Sequence, residues 1–176
     1  MKQFIFLTLL NITFIGVKAQ SNSEERISFA STIGMGISMS TPSYTPCTWQ
    51  VLAYYNLTER WSVGAGTGLS FYEKMLIPVY GDVKFQIGRK RKFTPYTELA
   101  VGYSFAPAND ANGGFPMNPA IGVQYPLKNN MKLQLAIGYE FQELDRLKKQ
   151  TDGYFHKEFE EQLSHHSISV RLGLSF

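Results

Sequence analysis

The sequence predicts an all-β protein, an eight-stranded antiparallel up-and-down transmembrane β-barrel preceded by a signal peptide. Two observations predict the barrel: segments of ten to fourteen residues alternate between apolar and polar side chains, and the connectors between them alternate between short and long. A third, the largely apolar first 20 residues, predicts secretion. Alternation with a period of two is typical of a strand whose faces meet different surroundings.

The N-terminus, "MKQFIFLTLLNITFIGVKAQ", has Lys2 near its start, an apolar run and a small-residue cleavage site before Gln20. This pattern predicts a cleaved signal peptide over residues 1–19 and a barrel domain over residues 20–176. The apolar run is shorter than the roughly 20 residues that a membrane-spanning helix needs. Cleavage would lower the formal charge from +3 to about +1, so we expect no nucleic-acid partner.

Eight segments alternate in the mature chain, and their lengths match the roughly 9–11 residues with which a tilted strand crosses a bilayer. They run approximately over 26–39, 48–57, 61–72, 75–87, 93–105, 115–127, 131–141 and 163–176. The connectors "TER", "RKRK" and "KNN" are short, whereas 40–47, 106–114 and 144–162 are longer, and only Glu73-Lys74 breaks the alternation. Short turns at one end and long loops at the other are typical of outer-membrane barrels, in which the short turns are periplasmic.

The two faces of the predicted strands differ in chemistry. Odd-numbered positions of the third, fifth and seventh strands carry no charge, as in Leu99, Val101 and Leu135, whereas even positions carry glycine or polar residues. A soluble lipocalin-like barrel would turn the apolar set inward and expose a glycine-rich surface with few charges, which weakens strands and lowers solubility. A membrane barrel turns the apolar set toward lipid, and its glycines make room inside a narrow lumen.

The membrane register predicts a network of charged side chains in the lumen. In the earlier strands the even-numbered residues face the lumen, whereas in the eighth strand, after the long loop, the odd-numbered ones do, and Arg171 is among them. With the strand shifted by one residue, Arg171 would lie in lipid at a cost of roughly 2–4 kcal/mol. Enclosed charges must be paired, so a network that plugs the lumen is expected without any further role; conduction or gating is the alternative. The predicted members are Asp82, Lys84, Glu98, Glu140 and Arg171.

Aromatic residues cluster toward the ends of the strands, which predicts two interfacial girdles, although aromatics favour any strand. The predicted girdle residues are Trp49, Tyr55, Trp61, Phe71, Phe105, Tyr125, Tyr139 and Phe141. Pro78, Pro95 and Pro119 fall inside predicted strands. Each removes a backbone donor, so we expect each at a rim or a bulge.

The alternating segments and the final strand "VRLGLSF" resemble the small outer-membrane β-barrel proteins of the OmpX and OmpA transmembrane-domain type and the porin-like barrel families of Gram-negative bacteria. The resemblance covers the whole mature chain and rests on pattern rather than on a diagnostic motif. It implies an outer-membrane location and contact with outer-membrane lipid and lipopolysaccharide. It also implies that Phe176, as a terminal aromatic, serves as an assembly signal for the barrel-assembly machinery.

The stretch His165-His166-Ser167 is the one candidate for catalysis. Lipid A deacylases of the outer membrane are similar in being eight-stranded and carry a His-x-Ser pair on a lipid-facing strand. Here His165 and Ser167 have lumen parity, and a catalytic triad also needs an orienting carboxylate that the sequence does not identify. Polar residues at a strand end are the simpler interpretation, and no catalytic residue is assigned.

The segment "LDRLKKQTDGYFHKEFEEQ" at 144–162 is dense in charges of both signs. It is a solvated loop or a pair of strands extended above the membrane, and it is the best place to look for an extracellular partner. The turn "NDANGG" lacks the spaced ligands of an EF-hand, and Cys47 is the single cysteine, so we expect no metal, cofactor or intrachain disulfide.

These features together predict a monomeric, non-enzymatic outer-membrane protein with a side-chain-filled lumen and outer loops that contact the environment or a partner. A small porin-like channel for water or solutes is the alternative, and a lipid A-modifying enzyme is a further one.

Overall fold

A computed structural model describes residues 26–40, 45–72, 74–89, 92–107, 111–152 and 155–176. The predicted signal peptide and its cleavage site lie outside the described residues, so they stay a prediction. Among the described residues, no helix is long and apolar enough to cross a membrane.

The eight strands form a closed antiparallel barrel in which every strand pairs with its neighbours in sequence and the last pairs with the first. They are β1 (Ile27–Ser38), β2 (Cys47–Asn56), β3 (Trp61–Phe71), β4 (Met75–Gln86), β5 (Thr94–Phe105), β6 (Ala111–Pro126), β7 (Lys132–Asp152) and β8 (Phe155–Ser175). The predicted fold class, an eight-stranded up-and-down barrel, is therefore confirmed. Closure leaves no edge strand around the body of the barrel, so every strand there has two hydrogen-bonded neighbours.

The long connectors were predicted at the right places but with too little strand. Residues 144–152 belong to β7 and residues 155–162 to β8, and the two strands pair as far as Asp152 and Phe155. The last pair to β6 is Ala111 with Arg146, and the last pair to β1 is Ser38 with Ser167. Of the two interpretations left open for 144–162, a solvated loop or extended strands, the extended strands are therefore correct, and they project beyond their neighbours. We call this end of the barrel the upper end, and the end with the connectors 57–60, 87–93 and 127–131 the lower end.

The facing of the strands follows the predicted parity. Leu99 and Leu135 are 44% and 53% exposed on the outer surface, whereas Arg171 is only 4% exposed inside. In β8 the buried positions are odd-numbered, so the parity change predicted for this strand is confirmed. Apolar side chains therefore cover the outside of the barrel and polar ones fill it.

The three strand prolines differ in their surroundings. Pro95 is the second residue of β5 and lies at the lower rim, as predicted. Pro78 and Pro119 lie within β4 and β6, where the ladders to β3 and β7 lack the pair of each proline and that of the residue before it, while the register continues unchanged. The prediction of a bulge at these two positions is wrong. A proline without an N–H interrupts one ladder and leaves the other neighbour paired.

Candidate functional site: the barrel interior

The lower half of the interior contains a three-residue ion-pair cluster, which we call the lower cluster. Glu98 on β5 lies between two cations: its Oε2 is 3.2 Å from Lys84 Nζ, and its Oε1 is 3.2 Å from Arg171 Nη2. All three side chains are at least nine-tenths buried. Lys84 and Glu98 are paired residues of β4 and β5, whereas Arg171 reaches Glu98 from β8. The three side chains therefore bridge the lumen between distant strands.

Two tyrosine rings and an amide enclose the Lys84 ammonium. Its Nζ lies 4.5 Å from the ring centroid of Tyr54 and 4.7 Å from that of Tyr96, and it donates a hydrogen bond of 3.2 Å to Gln134 Oε1. Cation–π contacts of this kind stabilise a desolvated ammonium. Sequence reasoning did not include Tyr96 in the network, although its even position on the fifth strand marks it as a lumen residue.

Small residues leave the space that Arg171 and the tyrosines occupy. A Cβ at Gly34 would lie 2.9 Å from Arg171 Cγ, and one at Gly138 would lie 3.0 Å from Arg171 Nη2. A Cβ at Gly122 would lie 2.6 Å from the Tyr96 ring. Glycines at lumen positions therefore permit long polar side chains inside a narrow barrel.

Asp82 and Glu140, the other two predicted members of the network, are buried but stand apart from the ion pairs. Among the described residues, neither carboxylate forms an ion pair, and Asp82 Oδ1 accepts no hydrogen bond. Asp82 interacts with the Tyr54 hydroxyl and lies in the same half of the lumen as the lower cluster. The structure thus brings together Lys84, Glu98 and Arg171 and leaves the remaining two carboxylates outside that cluster.

The upper half of the interior contains Glu140 with Ser167 and Ser169, which we call the upper cluster. Glu140 is 1% exposed and pairs across the β7–β8 ladder with Ser167. Tyr72 and Ser169 lie close enough to interact with its carboxylate, yet neither carboxylate oxygen accepts a hydrogen bond of normal geometry. Among the residues that the structure describes, neither serine hydroxyl forms a hydrogen bond of normal geometry. The upper cluster therefore contains a buried carboxylate without a cation in direct contact.

The residues of the His165-His166-Ser167 stretch point to different sides of the barrel wall. His165 is buried in the lumen, where its ring stacks on Tyr72 at a centroid distance of 5.5 Å. His166 is partly exposed on the outer side, and its Nδ1 is hydrogen-bonded to the Tyr139 hydroxyl. The two histidines therefore cannot serve one site together, and the serine hydroxyl bonds to neither of them.

All eight predicted girdle residues have the parity of the outer face, where each is exposed or half-exposed. Trp61 packs against Phe85 at the lower end with a centroid distance of 4.6 Å, and Phe141 packs against His166 at the upper end at 5.1 Å. Phe176 stacks on Phe29 at 6.2 Å and exchanges two backbone hydrogen bonds with it. Their roles as interfacial girdle and assembly signal stay predictions.

The structure contains no candidate metal site in the part of the chain that it describes. No group of three or more His, Cys, Asp or Glu side chains there is placed to hold a metal ion. Cys47 is a free, exposed thiol at the upper end of β2.

The closed architecture places the chain, by fold, among the small outer-membrane β-barrels. No family model matches the sequence, and no curated protein matches it. Among solved structures, it is similar to the crystal structure of Neisserial surface protein A, with a TM-score of 0.60 and 12% identity over 86% of this chain and 96% of that chain. The resemblance predicted from the sequence is therefore confirmed at the level of the fold.

Two further structures show that this fold serves different proteins. The solid-state NMR structure of the outer membrane protein AlkL in lipid bilayers matches with a TM-score of 0.54 and 14% identity, over 92% of this chain and 94% of that one. The crystal structure of the outer membrane enzyme PagL matches with a TM-score of 0.50 and 10% identity, over 82% and 97%. The likeness defines the fold and leaves the function to the site.

Proposed function

We propose that this chain is a monomeric, non-enzymatic integral protein of the bacterial outer membrane, with a lumen filled by its own side chains. The observation that carries the proposal is that apolar residues lie on the outside and charged residues on the inside, the reverse of the arrangement in soluble proteins. Neighbouring residues of β8 illustrate it: Leu172 is 55% exposed on the outside, while Arg171 is 4% exposed inside. A barrel of this kind suits hydrocarbon as its outer solvent and polar chemistry within.

Energetics favour the bilayer over water for this surface. Soluble monomers rarely expose contiguous apolar patches larger than a few hundred Å², and here apolar side chains cover the outer positions of all eight strands. In a bilayer the same surface needs no further burial, and the closed ladder satisfies the backbone polar groups inside the barrel wall. The inward charges are then enclosed rather than exposed to lipid, where one charge near the midplane costs roughly 2–4 kcal/mol.

The lower cluster supports an occluded lumen. Its three charged side chains cross the interior from β4, β5 and β8, and Tyr54 and Tyr96 close in on the Lys84 ammonium. Eight strands enclose little more than the space that such side chains fill. The extended hairpin at 144–162 is the segment that we propose contacts the environment or a partner, since it projects beyond the rest of the barrel. We further propose that the signal peptide is cleaved and that Phe176 addresses the chain to the barrel-assembly machinery.

Gel mobility tests the membrane assignment. The outer-membrane fraction of cells that produce the full chain is run without and with boiling, and a folded barrel is expected to migrate differently before and after heating. The variant Leu135→Arg, which places a charge on the outer face, is expected to lower the heat-modifiable fraction, whereas Gln124→Asn in the lumen is not. A chain that fractionates with soluble protein and shows one mobility would contradict the proposal.

A small channel for water or solutes is the second candidate, and the upper cluster favours it. Its carboxylate and hydroxyls give the upper half of the lumen polar groups that a water path needs, and a channel would have to open both the lower cluster and the apolar cluster of Leu76 and Leu144. Conductance of the purified protein across a planar bilayer separates the candidates. Discrete openings that change in Arg171→Ala or Glu98→Ala would favour the channel, and a silent bilayer favours the occluded lumen.

The geometry supports a non-enzymatic role because the serine of the candidate stretch lacks an activating base. Ser167 Oγ, which is buried in the lumen, makes no hydrogen bond within the described part of the chain. A nucleophilic serine needs a base within hydrogen-bond reach. Incubation of the protein with lipid A, followed by mass spectrometry, is expected to show no loss of acyl chains. Acyl loss that disappears in Ser167→Ala would establish the enzyme instead.

A further inference from the structure

Basic residues are concentrated at the lower end of the barrel. Among the described residues, the exposed cationic side chains at this end are Arg26, Arg60, Arg89, Lys92 and Lys128. The acidic groups described there are Glu59 and the terminal carboxylate of Phe176. The lower end is therefore strongly positive, although cleavage of the predicted signal peptide leaves a formal charge of only about +1 on the whole chain.

The positive charges surround the lower mouth of the barrel. The three lower connectors join β2 to β3, β4 to β5 and β6 to β7, so they lie two strands apart in the closed order. Arg60 lies in the first connector, Arg89 and Lys92 in the second, and Lys128 in the third. Arg26 precedes β1, which pairs with β8 in the remaining quarter of the ring. At least one cation therefore lies in each quarter of the lower rim.

Short turns place these charges close to the end of the barrel wall. The Thr58 hydroxyl accepts a hydrogen bond of 3.2 Å from the backbone N–H of Arg60. Next to Lys128, Asn129 and Asn130 have φ angles of 60° and 61°, in the left-handed region that asparagine tolerates better than most residues. The charges thus lie on tight connections whose geometry is set by local hydrogen bonds and backbone conformation.

The charges of the lower end are not neutralised within the described part of the chain. None of the five cationic groups there forms an ion pair, in contrast to Lys84 and Arg171 in the lumen, which both contact Glu98. The Lys92 Nζ lies 5.9 Å from the ring centroid of Tyr125, and a cation–π contact leaves its positive charge in place. A patch of exposed charges of one sign attracts anions of the opposite sign. The lower end is therefore suited to an anionic partner.

Two anionic surfaces face this end in the proposed orientation: the phospholipid headgroups of the inner leaflet, and the cell-wall polymer of the periplasm, whose peptides carry free carboxylates. Arg60 precedes Trp61 and Lys128 follows Tyr125, so both cations lie beyond the aromatic residues predicted to mark the interface. The cations also surround the mouth of the barrel, whereas headgroups reach only its outer side. An extended polymer can contact all quarters of the rim at once, so that several weak contacts act together.

We infer that the basic lower end binds the cell-wall polymer of the periplasm through the carboxylates of its peptides. The inference rests on the proposed outer-membrane location with the short turns in the periplasm. It goes beyond the proposed function by adding a periplasmic partner at the end of the barrel opposite the extended hairpin at 144–162.

Co-sedimentation with insoluble peptidoglycan tests the surface. The full chain is reconstituted in nanodiscs of zwitterionic phosphatidylcholine and mixed with purified peptidoglycan at low salt, and the bound fraction is measured after centrifugation. The lower-end variant combines Arg60→Gln, Arg89→Gln, Lys92→Gln and Lys128→Gln. The matched control removes the same number of cations from the extended hairpin at the opposite end, by Arg146→Gln, Lys148→Gln, Lys149→Gln and Lys157→Gln.

Wild type and the hairpin variant are expected to bind the polymer alike, and the lower-end variant at least about tenfold less tightly, because several exposed ion pairs are lost together. Binding of the wild type is expected to fall steeply as salt is added, since salt screens exposed charges. It is also expected to be lost with peptidoglycan whose carboxylates have been converted to amides.

Three results would overturn the inference. The first is equal binding of the lower-end and hairpin variants, and the second is undiminished binding to the amidated polymer. The third comes from nanodiscs that contain anionic phosphatidylglycerol: a wild type that retains this lipid better than the lower-end variant does, yet binds no polymer, would assign the surface to lipid headgroups.

Heat-modifiable mobility is measured on each sample. A wild-type barrel that shows it but binds no peptidoglycan refutes this inference alone. A wild-type chain that never shows heat-modifiable mobility refutes the proposed function as well.

Discussion

The lower and upper clusters of the lumen are equally buried but differ in how their charges are compensated. In the lower cluster, Glu98 has two cationic partners, and Lys84 has a carboxylate, an amide and two aromatic rings around it. In the upper cluster, the Glu140 carboxylate and the hydroxyls of Ser167 and Ser169 lack hydrogen-bond partners of normal geometry. Ion pairing rather than burial therefore separates the two clusters, while Asp82 Oδ1 and Arg171 Nε in the lower half also lack a hydrogen-bond partner among the described residues.

The difference predicts that the two halves of the lumen respond differently to the loss of a charged or polar group. Breaking a buried ion pair strands a charge and is costly, so the lower cluster is held in one arrangement. Buried polar groups without protein partners are stabilised by ordered water. The lower cluster is therefore the part of the lumen in which the buried charges hold one another in place.

The largest effect is expected from Glu98→Ala, which removes the partner of both Lys84 and Arg171. The free energy of unfolding is expected to fall by about 3–5 kcal/mol, since two buried cations lose their carboxylate. Urea unfolding in lipid vesicles, followed by the fluorescence of Trp49 and Trp61, measures it. Replacing all three charges together, by Lys84→Met, Glu98→Leu and Arg171→Met, is expected to cost less than the single change. A triple variant less stable than Glu98→Ala would refute the comparison.

A matched pair of serines sharpens the comparison within the upper half. Ser104 Oγ donates a hydrogen bond of 2.8 Å to Gln142 Oε1, whereas Ser167 Oγ has no partner, and both residues are fully buried. Ser104→Ala is expected to cost about 1–3 kcal/mol because the amide oxygen is left unpaired. Ser167→Ala is expected to change stability by less than about 0.5 kcal/mol. Equal losses in the same unfolding assay would show that the serine of β8 has a strong partner.

A small effect is also expected from Glu140→Gln, which removes a charge that no cation neutralises by direct contact. The free energy of unfolding is expected to change by less than about 1 kcal/mol or to rise, because burying an uncompensated carboxylate is unfavourable. The same vesicle assay compares it with Glu98→Gln, which is expected to lose clearly more stability. A Glu140→Gln variant as unstable as Glu98→Gln would remove the distinction between the two clusters.

Much of this fold could be predicted from the sequence because a strand that crosses a bilayer must alternate apolar residues facing lipid with small or polar residues facing the lumen. The number of strands, the direction in which each side chain points and the inward position of Arg171 follow from this alternation. It could not give the length of the β7–β8 hairpin, because residues above the membrane are wet on both faces and lose the alternation. It also could not show that Pro119 interrupts only one ladder, which depends on pairing with β7.

The lumen could be predicted in composition but not in contacts. The odd or even position of each residue in its strand was enough to select Lys84, Glu98 and Arg171. It also selected Asp82 and Glu140, which form no ion pair with them. Which charges form ion pairs depends on the stagger of the strands around the barrel, which lets Arg171 of β8 reach Glu98 of β5 across the lumen. Tyr96 was not named as a member of the network, although its even position marks it as a lumen residue, because position alone does not show which ring contacts the Lys84 ammonium.

The most direct test of the central claim measures whether lipid or water contacts the outer face of the barrel. Spin labels are attached to single cysteines at Leu99, Val101, Leu135 and Leu172 in a Cys47→Ser background, and the protein is reconstituted in lipid vesicles. Collisions with oxygen, which concentrates in hydrocarbon, are expected to be frequent at all four positions, and collisions with a water-soluble nickel complex rare. Free access of the nickel complex to these positions, or labels immobilised in a central core, would contradict the account.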